Sequence, residues 1–127
     1  MKTIKLKKYS DARGSLVENT KPEIFKDTKH FFVSKSKPGV IRGNHYHLRK
    51  AEWFYVIQGN CRMIIKDIKT GKKETKLVKA NQNVIISIEP GKSHAFKNIG
   101  KEELILLALV NEVHNQKDPD TYSHKVI

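Results

Sequence analysis

The chain has 127 residues, enough for one domain with a sizeable core. Hydrophobic residues make up 38% of it and charged residues 30%, a globular balance with no apolar run long enough to span a bilayer. The 25 Lys+Arg against 13 Asp+Glu leave a net charge of +12. That balance suits anionic ligands, but the lysines are scattered, form no arginine-rich block and have few aromatics among them, which argues against a nucleic-acid partner.

The opening Met1-Lys2-Thr3-Ile4-Lys5 lacks the apolar stretch and small-residue cleavage site of a signal peptide. Cys61 is the only cysteine, so no intrachain disulfide can form and a reducing cytoplasm is the expected compartment.

Helical periodicity is almost absent, and short β-rich runs alternate with turn signals, the pattern of an all-β sandwich or barrel. In chain order, Ile4 to Tyr9 reads as a strand and Asp11 to Ser15 as a turn. Pro22 to Asp27 is the one stretch suited to a helical turn, and His30 to Lys35 is a strand closed by Pro38-Gly39. Glu52 to Gln58 and Asn60 to Lys69 follow, with Gly59 between them, and Thr70-Gly71 turns the chain into Lys72 to Ala80. Asn83 to Ile88 precedes the Pro90-Gly91 turn, then come His94 to Ile99 and Glu103 to Val113, and a polar tail from Asn115 to Ile127. With no linker, repeat or low-complexity stretch, one domain over 1–127 is expected, with strands before residue 39 adding to a sheet and to a dimer, a barrel over 39–113 and a tail over 114–127.

Two strands are apolar on both faces. Phe54 and Val56 share the face of Glu52, while Trp53, Tyr55 and Ile57 point the other way; Leu104, Leu106, Ala108 and Val110 oppose Ile105, Leu107 and Leu109. A sheet with one wet face alternates instead. One face therefore meets the core, and the other is covered by a second subunit or by a second sheet of the same chain.

Residues 39–59 read GVIRGNHYHLRKAEWFYVIQG. On a strand His45 and His47 leave the same face. Glu52 opens the next strand after Leu48-Arg49-Lys50, and GKSHAFKN over residues 91–98 brings His94 just past a glycine turn. Three neutral imidazoles and a carboxylate form a borderline ligand set suited to Zn, Fe, Mn, Ni or Co, able to close a tetrahedron or to leave water positions open.

Gly39, five residues, His45-x-His47, four residues, Glu52, six residues and Gly59 resembles the first motif of the cupin superfamily at every position. Gly91, two residues, His94, three residues and Asn98 is similar to the end of the second motif. Pro90 sits one residue late, and Asn83 stands where that motif has a glycine, a mild departure because Asn tolerates the left-handed turn conformation. The resemblance implies a double-stranded β-helix (jelly-roll) cupin domain whose interior holds a divalent metal on His45, His47, Glu52 and His94.

Flanking residues narrow the resemblance. Asp11-Ala12-Arg13-Gly14 is similar to the opening of nucleotide-sugar epimerases and ketoisomerases, and Arg42-Gly43-Asn44-His45-Tyr46 to a segment of 4-keto-sugar 3,5-epimerases. Val110 to Asn115 with Asp118 to Tyr122 resembles the end of the bifunctional capsular-polysaccharide enzymes, in which a reductase domain precedes a zinc-binding cupin domain that epimerises a UDP-4-keto-6-deoxy sugar. No Gly-x-Gly-x-x-Gly is present, so the expectation is the isomerising half standing alone.

The implied function is a nucleotide-sugar epimerase or 3,4-ketoisomerase that abstracts a proton beside a ketone, in surface-polysaccharide synthesis. Such chemistry needs a base, an acid on the other face of the sugar, and a cation or donor near the enolate oxygen. Arg42 and Arg13 are candidates for gripping the diphosphate in a bidentate geometry that lysine lacks. In metal-free epimerases of this fold the histidine matching His45 is the base, yet a metal-ligated nitrogen cannot also take up a proton; Tyr46, Tyr55 and His114 are the alternates. The competing readings are a non-catalytic metal- or sugar-binding cupin that partners a biosynthetic enzyme, and an oxygen-using cupin with a redox-active metal.

Overall fold

Alternating β-branched, aromatic and leucine-rich runs build a computed structural model of twelve strands and one short helix that describes residues 1–127. The strands are β1 Lys2–Lys5, β2 Lys7–Asp11, β3 Gly14–Glu18, β4 His30–Ser36, β5 Ile41–Tyr46 and β6 Glu52–Gln58. They continue as β7 Asn60–Asp67, β8 Lys73–Lys79, β9 Val84–Ile88, β10 Lys92–Asn98, β11 Leu104–Val110 and β12 Tyr122–Ser123, with α1 at Pro22–Asp27. No helix is long and apolar enough to cross a membrane.

Two antiparallel five-stranded sheets form, ordered β1-β9-β6-β11-β4 and β12-β5-β10-β7-β8, while β2 and β3 make a separate hairpin. The core lies between the sheets, where Phe54, Val56, Ile86, Ile88, Leu104 and Leu106 of one meet Cys61, Met63, Ile65, Val78 and Phe96 of the other. This is the expected all-β jelly roll. The inward residues of β6 and β11 are those that share the face of Glu52, because strand side chains alternate with period two.

The outward apolar face is covered only in part by the same chain. Trp53, Tyr55, Ile85, Leu107 and Leu109 line an apolar groove with Leu6, Val17 and Phe25. Farther along that face, Phe31 and Val33, paired with Leu109 and Leu107, are 67% and 48% exposed.

Three elements differ from expectation. The first strand divides at Leu6: its N–H meets the carbonyl of Asn83 in register with the β1–β9 ladder, and the chain then leaves β9 for the β2–β3 hairpin. Gly14 and Ser15, read as turn, already belong to β3. The tail, read as strandless, adds β12 to the edge of β5 and buries Val126 against Ile64 and Ala95. At Asn83 the backbone is left-handed, with φ of 52°, which is why asparagine serves where a glycine was expected.

Candidate functional site: three histidines and a carboxylate in a two-armed cleft

The site assembles from the end of β5, the loop after it, the first residue of β6 and the start of β10. His94 pairs with His45 across β10 and β5, but the next pair is Ala95 with Gly43, so Asn44 is the extra residue of a β-bulge. The bulge needs unusual backbone: φ is 96° at Gly43 and 55° at Asn44. Its consequence is directional. Arg42 and His45 are three residues apart and would leave opposite faces of a regular strand, yet both line one cavity of about 400 Å³ with His94, Glu52, Phe96 and Lys35.

The three imidazoles converge with ring centroids 4.9 Å apart for His45–His47 and for His45–His94, and 5.5 Å for His47–His94. Their ligand nitrogens all lie within 4.8 Å of one another. Glu52 Oε1 is 3.0 Å from His47 Nε2 and 3.2 Å from His94 Nε2. All three atoms are buried, and despite these ion-pair distances none has a partner in hydrogen-bond geometry.

The outer nitrogens explain that pattern. His47 Nδ1 lies 2.7 Å from the carbonyl oxygen of Asp120, and His94 Nδ1 3.0 Å from that of Lys92. A carbonyl only accepts, so each Nδ1 carries the hydrogen and each neutral ring turns a bare Nε2 lone pair toward the lone pairs of Glu52. Buried lone pairs facing each other repel unless a cation lies between them. The spacing suits a metal: ligands at zinc distance in a tetrahedron sit roughly 3.3 Å apart. Ring orientation by backbone carbonyls is the usual support for metal-binding imidazole. The four residues thus fit a divalent ion.

The electrostatics separate the four. Burial, then the neighbouring His94 and His47, pushes His45 down to about 4, so its imidazole is neutral at ordinary pH. Burial works against the charge of His47, but Glu52 and the Asp120 carbonyl outweigh it and hold that group above the usual histidine range. Burial likewise opposes ionisation of Glu52; without a metal ion, a proton shared with His47 or His94 takes the place of the cation and overcomes that cost, bringing the carboxyl to about 2.

A second arm of about 390 Å³ opens on the other side of His45 and Glu52, lined by His30, His47, Lys50, His114 and Thr121. Phe32 borders both arms.

Of the residues singled out in the sequence, His45, His47, Glu52, His94 and Arg42 meet here, and His114 lines the second arm. Arg42 is braced by bonds to Ser36 Oγ at 2.8 Å and the Lys35 carbonyl at 2.9 Å, which leaves further N–H groups of its fork for a ligand. Tyr46 and Tyr55 are not brought to the site. Tyr46 stacks on Tyr122 at 5.2 Å, and Tyr55 lines the outward apolar groove, both sent there by strand alternation. Tyr46→Phe and Tyr55→Phe are therefore expected to leave turnover within about twofold of wild type, as surface changes do, measured by steady-state kinetics. Arg13 sits on its own hairpin, paired with Asp11 at 2.6 Å, and lines only a pocket formed by that hairpin.

Two residues were missed. Asp120 is buried in the tail and accepts N–H groups of Leu48, Arg49 and Lys50 at 2.8–3.0 Å. Lys50 is also buried, bonded to the Pro119 carbonyl at 2.9 Å. Their only sequence signal was an Asp-Pro-Asp run in a stretch that otherwise reads as solvated loop.

A double-stranded β-helix whose mouth carries His-x-His, a glutamate and a later histidine defines a cupin. The chain belongs to the polysaccharide biosynthesis C-terminal domain family, whose pattern matches residues 9–122. It is 35% identical over 118 residues to a UDP-2-acetamido-2,6-beta-L-arabino-hexul-4-ose reductase of Pseudomonas aeruginosa, covering 93% of this chain and 31% of the relative. Among solved structures it is similar to the capsular polysaccharide assembling protein CapF of Staphylococcus aureus, with 30% identity and a TM-score of 0.75, over 95% of this chain and 33% of that one. The chain thus spans about a third of the length of both. A dTDP-6-deoxy-D-glucose-3,5-epimerase of Legionella pneumophila, solved with dTDP-4-keto-L-rhamnose, has a TM-score of 0.83 at 18% identity, over 98% of this chain and 72% of that one. At that identity the likeness is one of fold.

Proposed function

We propose that the chain is a nucleotide-sugar epimerase or 3,4-ketoisomerase acting on a UDP- or dTDP-4-keto-6-deoxy sugar in surface-polysaccharide biosynthesis. The observation that carries this reading is a neutral, half-buried His45 standing between two arms of a sugar-sized cleft, with Arg42 braced in one of them. Relatives named as a reductase of a UDP-hexulose and as a capsular polysaccharide assembling protein support it.

Each residue has a task in that chemistry. Arg42, helped by Lys35, takes the diphosphate at the wet end of the first arm. His45 lacks the backbone carbonyl that fixes the other two histidines, so its lone pair is the one free to accept the proton beside the ketone. Phe32, Phe54 and Phe96 wall the ring off from water and strengthen every charge contact within. Zinc or another divalent ion, held by His47, Glu52 and His94 with His45 completing the set, would supply a Lewis acid for the keto oxygen. Where His45 gives its lone pair to that ion, His114 and His30 on the second arm are the imidazoles left for proton transfer.

The reading includes a homodimer, supported by the partly uncovered apolar face of β6, β11 and β4. Arg13 lies on a hairpin apart from its own cleft, so it would reach a bound nucleotide only in the second copy. The reading also includes a cytoplasmic setting, in keeping with a single cysteine, Cys61, that can form no intrachain disulfide.

The test is incubation with UDP- and dTDP-4-keto-6-deoxy sugars in deuterium oxide. Deuterium is expected at the carbon beside the ketone, read by mass spectrometry and proton NMR. Binding of the sugar without exchange would instead identify a non-catalytic sugar-binding cupin.

A further inference from the structure

The carboxyl-terminal residues touch every segment that carries a histidine of the site. The carbonyl of Asp120 fixes the His47 ring, and its carboxylate gathers the three N–H groups of the loop leading to Glu52. The His124 carbonyl accepts Ser93 Oγ–H at 2.9 Å, beside His94, and the His124 N–H reaches the Asn44 carbonyl at 2.8 Å, beside His45. Asn44 Oδ1, on the bulge, accepts the N–H groups of Val126 and Ile127 at 2.8 and 3.1 Å. Asp120 itself holds a left-handed backbone, φ 48°, while only 2% exposed. A buried aspartate in that conformation, with both carboxylate oxygens occupied, holds its segment in one place.

We infer that residues 118–127 are a strap whose docking sets the ligand shell, with Asp120 the positioning residue for His47 and Glu52. Strap docking and ion binding are then linked: an ion pulling His47 Nε2 inward strengthens the Nδ1–H bond to the Asp120 carbonyl, and a docked strap presents His47 with the correct nitrogen bare. Linkage is reciprocal, so each event must favour the other by the same factor. The inference rests on the reading of His45, His47, Glu52 and His94 as a metal site.

Three measurements test it. In metal-free wild type, at a pH where the rings are neutral, nitrogen-15 NMR of the imidazoles is expected to find His47 protonated on Nδ1. Asp120→Ala keeps the backbone carbonyl but loses the carboxylate that anchors it, so it should mix the His47 tautomers while leaving His94, held by Lys92, unchanged. Zinc titration against a chromophoric chelator should give an affinity about 10–100-fold weaker for Asp120→Ala than for wild type, the usual effect of losing a supporting residue. Asp120→Asn keeps the left-handed backbone and one acceptor, so it should fall between the two and serves where the alanine variant does not fold. In wild type, hydrogen exchange of the amides of 118–127 should slow when zinc binds. Equal zinc affinity in both variants, or strap amides indifferent to zinc, overturns the inference. Failure of wild type to bind any divalent ion overturns the metal reading instead, and the His47 tautomer comparison still decides whether Asp120 positions that ring.

Discussion

His94→Ala is expected to abolish tight ion binding and to lower isomerising activity by a factor of about 10²–10⁴, the range spanned by loss of a group that acts directly on the reacting proton or charge. His94 is 1% exposed, its Nδ1 is fixed by the Lys92 carbonyl, and its Nε2 stands 3.2 Å from Glu52 Oε1. Removing it takes one of the converging lone pairs from the centre. The affinity loss should exceed the roughly 10–100-fold expected for a supporting residue. An ion at a hundred times its dissociation constant adds about 2.7 kcal/mol to the stability of the folded protein. Thermal denaturation of wild type should therefore shift upward with zinc, and that of the variant should not. Activity measured alongside metal content separates the two tasks of His45. A variant that loses the ion and keeps deuterium exchange makes His45 the base and the ion structural; one that loses both makes the ion catalytic. Acid should also release the ion from wild type. Glu52 and the Asp120 carbonyl hold the proton affinity of His47 above the ordinary imidazole range, so protons compete for its Nε2 from a higher pH, and affinity falls as pH drops through that range.

Gly43→Ala is expected to cost about 3 kcal/mol or more of folding stability and to weaken ion binding with it. At φ of 96° an L side chain is already strained, which by itself costs about 1–3 kcal/mol. The added Cβ would also stand 2.7 Å from the carbonyl oxygen of His94 and 3.2 Å from the Cα of Ala95. Both are backbone atoms, so relief comes only by moving β5 away from β10 at the pair formed by His45 and His94. Gly71→Ala is the control. Gly71 has φ of 75° with nothing within 4 Å of the added Cβ, so it reports strain without collision and should cost about 1 kcal/mol. Urea unfolding of both variants, with unchanged slopes, isolates the collision as the difference in midpoint. A Gly43→Ala cost no larger than that of Gly71→Ala would mean that the two strands separate freely, and the close approach at the bulge would then not be what holds the site together.

The sequence was most legible where physical periods are short. β6 was read from Glu52 to Gln58 and was found there, because a short aromatic and β-branched run closed by Gly59 marks a strand without help from distant partners. The helical turn read at Pro22–Asp27 was found there, with the proline at its first position and Ile24 buried beneath it. Legibility failed where a residue's partner is distant in the chain. The first strand divides at Leu6 because the residues before it pair with the distant β9 and those after it with β3, and Asp120 looks like one more polar tail residue until its carboxylate meets the N–H groups of Leu48, Arg49 and Lys50. Tyr46 and Tyr55 were plausible by chemistry, and alternation alone would have turned each away from His45 and Glu52.

The convergence of His45, His47, Glu52 and His94 was available from the resemblance of residues 39–98 to the cupin motifs, with the two-residue offset of His45 and His47 placing that pair on one side. The sequence alone also determined which residues of β6 and β11 share a face, because the pleat leaves no choice, while packing decided which of the two apolar faces meets the core. Only the tertiary structure decided that Arg42 shares the cavity of His45: Gly43-Asn44 permits a bulge, but the pairing of β5 with β10 fixes where it falls. The tertiary structure alone also decided that the tail closes over the histidines. A bulge and a strap are both answers to long-range pairing, and their free energy comes from backbone and carboxylate groups that find partners only when distant segments are already in register.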